Sequence, residues 1–355
     1  MRPTAVISEA ARNISTGTTA ALLLALLLGA SCAGLAVIDA QAITALRDKA
    51  RLFADSGASV RILKAKGQVD GGGCDALPMS GGVRSAGAVS AADSVVLNSA
   101  PTNPIPGFRV TPGLADLLRV KAVAASGVWV PQNLAQTLAI VPGQRLATSR
   151  GELTVAGTYA WPEDGRDARL GYAVLQPIRS RSTLDECWAE VWPSTDAADS
   201  LIRSTTFVTA APSEPVTLSQ LNLTQGATLD ARTDFVSRPS RFALPGGLAA
   251  GLVLGFGAIY RRRLEYSAAL HCGQRRSAQV ATALLETGVW ALGGLLVAAA
   301  GLGLALQLSA GSTDAEIFLV DVRGPAMGVL GSGLGALSAL ALIREDRLFR
   351  YFKAS

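Results

Sequence analysis

Residues 261–308 read RRRLEYSAALHCGQRRSAQVATALLETGVWALGGLLVAAAGLGLALQL. Arg261, Arg262 and Arg263 close one apolar run. A short, partly basic stretch follows, and Glu286 opens another apolar run. Hydrocarbon excludes the charges of the first part, because an ionised side chain at the bilayer centre costs several kcal/mol. The second part is too apolar for water. The stretch reads as a loop of 261–286 on the cytoplasmic side, between two membrane helices.

Working outward, the composition agrees. The chain has 355 residues, 49% of them hydrophobic, with a mean hydropathy of +0.34, which fits an integral membrane protein carrying a sizeable extra domain. Charged residues make up 17% and nearly vanish from four windows, 18–38, 242–260, 287–308 and 325–343. Each window is near the ~20 residues that cross ~30 Å of hydrocarbon. A signal peptide is the rival reading of the first window, since Ala40-Gln41-Ala42 resembles a cleavage site and 29–32 faintly resembles a lipobox. The run exceeds the usual ~7–15 residues of a signal core, which favours an uncleaved helix. Arg261, Arg262, Arg263, Arg275 and Arg276 fall in one loop, and Arg344, Arg347, Arg350 and Lys353 in the tail. The 309–324 loop has only Arg323, so the termini, 1–17 and 344–355, are expected in the cytoplasm. This asymmetry also accounts for the pI of 9.2 without nucleic acid as a partner.

Only residues 39–241 are polar enough for a domain in water. Ile43, Leu46, Ala50 and Phe53 recur at spacings of three and four, so the first helix should continue as a stalk to Ser56-Gly57. Alternation then predicts a strand at Ala58–Leu63, and others at 127–130, 152–159 and 170–175, with a short helix at 132–138. Pro142-Gly143 and 161–166 read as turns. The stretch 71–103, rich in Gly, Ser and Ala, has no placement. Pro239 and Pro245 should shorten or kink the return to the membrane.

The loop resembles that of the MacB/FtsX-like permeases, the type VII ABC transporters. The residues that carry the likeness are Arg261, Arg262, Arg263 and Glu265, then Ala268-Ala269-Leu270, Gly273, Arg275-Arg276 and Glu286. Glu265 comes later than is usual in that family, and His271-Cys272 stand where an alanine is usual. A second likeness lies in Leu134-Ala135, Leu138, Gly143, Leu146 and 153–157, which fill places in the family's outer domain. The resemblance implies a membrane α-helical fold of four spans, with an α/β extracytoplasmic MacB-like domain inserted between the first and second. It implies a dimer of permeases on a dimer of ATPases, with ATP and Mg on the ATPase and none in this chain. Closure of the ATPase would be passed through the basic loop to the outer domains. The expected work is export or extraction of an amphipathic drug, peptide or lipid. The alternative is control of an extracytoplasmic cell-wall hydrolase, and a sensor of antimicrobial peptides is a third reading. A hydrolase or adaptor outside the membrane and lipid within it are the further partners.

Individual residues have plainer readings as well. No GxxxxGK[ST] occurs, so hydrolysis of ATP would need a separate subunit. Arg275 and Arg276, placed on an expected coupling helix, either meet acidic groups of an ATPase or hold the loop against anionic headgroups. Glu286 is expected near the start of the third span, where a carboxylate favours a helix amino end. His271 with Cys272 offers too few ligands for a metal. Cys74 and Cys187 share the outer domain and are expected to form a disulfide, unless they are two buried thiols too far apart. Glu163-Asp164 and Asp185-Glu186 are adjacent pairs whose side chains diverge, so they read as solvated charge and not a glycosidase pair. Trp129, Trp161, Trp188 and Trp192 either fill the core or line a binding face. The glycines of the last two spans let helices approach closely.

Overall fold

The computed structural model describes residues 3–179, 181–193, 195–207, 215–310, 314–345 and 352; Arg347, Arg350 and Lys353 lie outside these. The chain divides into two compact units, Met1–Arg47 with Arg232–Ser355, and Asp48–Ala231.

The amino-terminal segment 1–17, for which the sequence suggested no element, contains a helix, α1 (Pro3–Ser15). Its buried residues are Val6 and Ala10, one turn apart, and tertiary packing on that stripe supports a helix too short to stand alone. The expected first span and stalk then form one helix, α2 (Ala21–Asp55), which ends at Gly57 with φ +77°. At ~1.5 Å per residue α2 far exceeds the ~30 Å of a bilayer core, so it has length for both roles.

The second unit follows in chain order as β1 (Val60–Asp70), α3 (Gly71–Ala76), β2 (Val83–Val95), β3 (Ile105–Val110), α4 (Leu114–Leu117) and β4 (Lys121–Ala122). Next come β5 (Val128–Pro131), α5 (Gln132–Thr137), β6 (Arg145–Thr148), β7 (Gly151–Tyr159), β8 (Val174–Pro177), β9 (Thr183–Val191), α6 (Asp196–Arg203) and β10 (Thr217–Gln220). The strands order as β10-β1-β9-β2-β3-β8-β5-β7-β4, with β6 paired to β7. The β3–β8 and β5–β7 pairs are parallel.

Both faces of this sheet are buried. Val60 and Ile62 of β1 join Trp188 of β9 in one core, whereas Leu63 and Ala65 join Cys187 and Ala189 in another. Alternate residues of a strand point to opposite faces, so the two cores are the two sides of one sheet. Small residues make this possible in β2, within the stretch that had no placement. A Cβ on Gly87 would overlap the Leu114 backbone, and Ala86 and Ala88 pack beside Cys74 and Leu77. A run of Ser, Ala and Gly that looks like a loop is thus a strand covered closely by helices.

Other expectations shift. Residues 170–175, read as a strand, begin in a 3-10 turn (Ala168–Tyr172) and reach β8 only at Val174, because the Asp167 side chain caps the turn by accepting from Arg169 N. The 58–63 strand starts at Val60 and runs on to Asp70. The strands at 128–131 and 151–159 and the helix at 132–137 lie where they were expected.

The first unit resumes with α7 (Ala231–Ser237), a 3-10 turn opening at Pro239, and α8 (Ala243–Arg261), which carries Pro245 harmlessly in its first turn. It continues with α9 (Arg263–His271), α10 (Arg276–Ala310), α11 (Ala315–Asp321) and α12 (Arg323–Leu342). Four segments are long and apolar enough to cross a membrane: Ala21–Asp55, Pro239–Arg261, Arg276–Ser309 and Ala315–Leu342. The 309–324 loop holds α11, capped by the Asp314 side chain, which also pairs with Arg47. Arg238 pairs with Asp39 at 2.7 Å and ties the chain before α8 to α2.

Helices α8 and α12 meet backbone to backbone. A Cβ on Gly247, Gly251 or Gly255 would fall on the carbonyl oxygen of Gly324, Gly328 or Ser332, respectively. Gly331 and Gly335 stand in the same relation to Leu248 and Leu252. Small residues four apart permit this closeness; the sequence reading pointed to glycines of the last two spans, and the structure adds Gly247, Gly251 and Gly255 of α8. Gly251→Ala should therefore destabilise the solubilised protein by about 1–3 kcal/mol. Gly257→Ala, where a Cβ meets nothing within 4 Å, should be neutral or slightly stabilising in a melting experiment. Equal effects at the two glycines would exclude the close seam.

Candidate functional site

The residues singled out in the basic loop occupy the α8–α10 connection, and they divide into two groups. Arg262 sits between α8 and α9 and turns inward. Its Nε donates to Glu265 at 2.8 Å and one terminal nitrogen donates to Glu286 at 2.7 Å. The guanidinium also lies 5.4 Å from the Tyr266 ring centroid, within cation–π reach. Burial pulls the Arg262 pKa down, but the Glu265 hydrogen bond and the nearby Glu286 and Glu265 charges outweigh it, so it is held above the usual arginine value. Burial pushes the Tyr266 phenol up to about 12, against the opposing charge of Arg262.

Glu286 corrects the sequence reading. It does not open the third helix: α10 begins at Arg276, almost three turns earlier. The carboxylate is 1% exposed, and besides Arg262 it accepts from Asn13 Nδ2 at 2.7 Å and Thr19 Oγ1 at 3.4 Å. Hydropathy places the span start at 287 because Arg276, Gln279, Thr282 and Glu286 dilute the apolar pattern. Those last three are buried polar residues at spacings of three and four, on one face of α10. The site residues missed in the sequence are therefore Asn13, Thr19, Tyr266, Gln279 and Thr282. A visible trace of them was the 3–4 spacing of Val6, Glu9, Ala10 and Asn13 in the lead segment.

Further bonds lock α9 in place. Gln279 Nε2 donates to the Tyr266 carbonyl at 2.9 Å, and Ser267 Oγ donates to the Arg344 carbonyl at 3.1 Å. The helix ends at Gly273, φ +88°, where Gln274 N bonds Ala269 O and Gly273 N bonds Leu270 O. This is the Schellman arrangement, in which glycine takes the left-handed position without strain.

The second group faces solvent. Arg261, Arg275 and Arg276 are exposed and have no ion-pair partner among the described residues. Arg275 precedes α10 and Arg276 is its first residue, so neither lies on a separate helix as the sequence suggested; the separate short helix is α9. Arg263 is half-buried, 5.0 Å from the Tyr260 ring centroid. The site is thus a stiff short helix, pinned from beneath by a buried ion pair and flanked by free guanidinium groups.

In the other unit, Cys74 and Cys187 form a disulfide with Cα atoms 5.9 Å apart, as expected, and Cys32 and Cys272 are free. The side chains of Asp185 and Glu186 diverge as expected, but Glu186 is buried and ion-paired, not solvated. Asp185 accepts from Gly67 N at 2.8 Å, whereas Glu186 takes Arg169 at 2.8 and 3.1 Å and Trp188 Nε1 at 2.8 Å. Trp129, Trp161 and Trp188 belong to the core, and Trp192 packs 5.5 Å from the Phe53 ring.

No family model and no curated protein matches the sequence. Solved structures do show likenesses. One is the periplasmic region of MacB from Actinobacillus actinomycetemcomitans, at 10% identity and a TM-score of 0.32, covering 42% of this chain and 83% of that one. Another is a domain assigned to a permease protein of Porphyromonas gingivalis, at 14% identity and a TM-score of 0.31, covering 46% and 90%. A third is the extracellular domain of the noncanonic ABC-type transporter YknZ from Gram-positive bacteria, at 11% identity and a TM-score of 0.30, covering 40% and 88%. Each of these likenesses covers less than half of this chain.

Proposed function

We propose that this chain is the permease subunit of a transporter driven by a separate ATPase, which binds the ATP and Mg. The carrying observation is the arrangement around α9. A lever needs a stiff arm, a fixed attachment and a handle. Here the arm is α9, the attachment is the Arg262–Glu286 pair with its bonds to α1, α10 and the chain after α12, and the handle is Arg261, Arg275 and Arg276. Exposed guanidinium groups suit a groove lined with carboxylates, which they engage in bidentate pairs. In this reading the basic loop and both termini face the cytoplasm, by the excess of arginine there. The strand-rich unit lies outside, between the first and second spans. A second permease subunit completes the complex, and motion at α9 is passed to the outer domains, which act on an amphipathic drug, peptide or lipid.

The test is affinity purification of tagged chain from native membranes, beside Arg275→Glu/Arg276→Glu. Mass spectrometry should find a chain with a phosphate-binding loop in the wild type, depleted at least tenfold in the variant. Absence of any such ATPase from both samples, under conditions that preserve known complexes, removes the proposal. A cell-wall hydrolase co-purifying outside the membrane would transfer the cargo role to enzyme control.

A further inference from the structure

A cavity of about 370 Å³ opens in the strand-rich unit beside the end of α2. That volume falls in the ~300–1,000 Å³ range of small-molecule sites. Its floor is the edge of one hydrophobic core, where Val60, Leu118, Trp161 and Leu221 keep only a small part of their surface open and the Arg166 guanidinium lies 5.3 Å from the Trp161 ring centroid. The larger cavity of the unit, about 630 Å³, has a mostly polar lining, and its Arg150–Asp93 pair is exposed at 69% and 75%. An apolar floor under a charged rim is found only at the smaller of these two.

The charge left over at the rim is positive. Arg166 is taken by Asp164, through bonds of 2.6 and 2.9 Å, and that pairing holds the Asp164 carboxyl below the usual carboxylate range. Glu190 is taken by Ser85 at 3.0 Å and Arg84 at 3.3 Å. Arg119 reaches Asp55 only at 3.5 Å, with both side chains largely exposed. Lys121 is exposed and has no ion-pair partner among the described residues. A ligand that covers Trp161 and Leu118 and ends at Lys121 and Arg119 must be apolar along its length and anionic at its tip.

We infer that this cavity binds a single-chain anionic amphiphile, a long-chain carboxylate, with its chain on the Trp161–Leu118 floor and its head at Lys121 and Arg119. The inference rests on the amphiphile-cargo part of the proposed function and names the chemistry of that cargo. The apolar floor supplies affinity by burying chain methylenes. The ammonium and guanidinium groups select the carboxylate over an uncharged head.

The full chain in nanodiscs, without ATPase, provides the test. A brominated twelve-carbon carboxylate quenches tryptophan only at short range, so titration should give saturable quenching that Trp161→Phe largely removes. Lys121→Glu, at an exposed position that leaves the core intact, should weaken binding about tenfold or more, and the brominated alcohol of equal length should bind as weakly. Undiminished quenching in Trp161→Phe, or equal binding of acid and alcohol, overturns the inference. If Trp161→Phe unfolds, wild-type affinity in Lys121→Glu overturns it alone. A failed ATPase purification leaves this result standing, and absence of amphiphile binding leaves the ATPase result standing.

Discussion

Arg262→Ala is expected to lower the stability of the solubilised protein by about 3–5 kcal/mol, the cost of leaving a buried charge without its partner. In a melt this is a fall on the order of 10 °C. Arg261→Ala, one residue earlier and exposed, should stay within about 0.5 kcal/mol. The difference follows from geometry: Arg262 and Glu286 are 11% and 1% exposed at 2.7 Å, so removing the cation strands a carboxylate that water cannot reach. Asn13 and Thr19 still donate to it, but neither neutralises it. The double variant Arg262→Met/Glu286→Leu should recover much of the loss, because replacing both charges removes the desolvation cost as well as the attraction. Stability is therefore read across the four corners of a double-mutant cycle. Similar melting of Arg262→Ala and Arg261→Ala would refute the inward anchor. If the ATPase proposed above is found, a double variant that purifies stably but no longer captures it would assign the pair a coupling role apart from its structural one.

The second large effect is expected at the disulfide. Its cysteines lie 113 residues apart and tie α3 to β9, an interior strand of the sheet. Closing so long a loop restricts the unfolded chain, and Cys74→Ala/Cys187→Ala should cost about 4–5 kcal/mol by that entropy. Both sulfurs lie in a core where Cys74 and Cys187 are fully buried. Reductant should consequently leave the native wild type unchanged at low temperature, yet lower its melting transition when present during heating. The double-alanine variant should melt early with or without reductant. Identical melting of all four samples would show that the bond adds nothing to stability.

Much of this architecture was legible before any coordinates, for reasons visible in particular residues. Apolar windows with arginines at their ends marked the spans, because transfer of charge into hydrocarbon dominates every other local preference. The stripe of Ile43, Leu46, Ala50 and Phe53 indicated that the first apolar helix continues, and α2 does run to Asp55. What escaped detection depended on tertiary packing. β2 is built from small residues whose meaning appears only when α3 and α4 are placed on the two sides of the sheet. α1 has only two buried apolar anchors, and Glu286 looked like a helix start because two of its partners, Asn13 and Thr19, are more than 260 residues away in the chain. Within the candidate site, sequence identified the charged residues. It could not sort them into those that hold the helix and those that face solvent.

The glycine seam between α8 and α12 limits how the bundle can move. Where carbonyl oxygens of one helix occupy the places of absent Cβ atoms on the other, along two turns and more, sliding or tilting meets backbone atoms that have no alternative rotamer. The pair then counts as one mechanical element. The contact between α2 and α10 is looser: a Cβ on Gly29 would meet the Gly294 carbonyl oxygen at 3.0 Å, and one on Gly294 would meet the Ala25 carbonyl oxygen at 3.1 Å, against 2.0–2.3 Å along the α8–α12 seam. Arg262, in the one-residue link between α8 and α9, pairs with Glu286 of α10, so this buried ion pair fastens the rigid α8–α12 element to its more loosely packed neighbour.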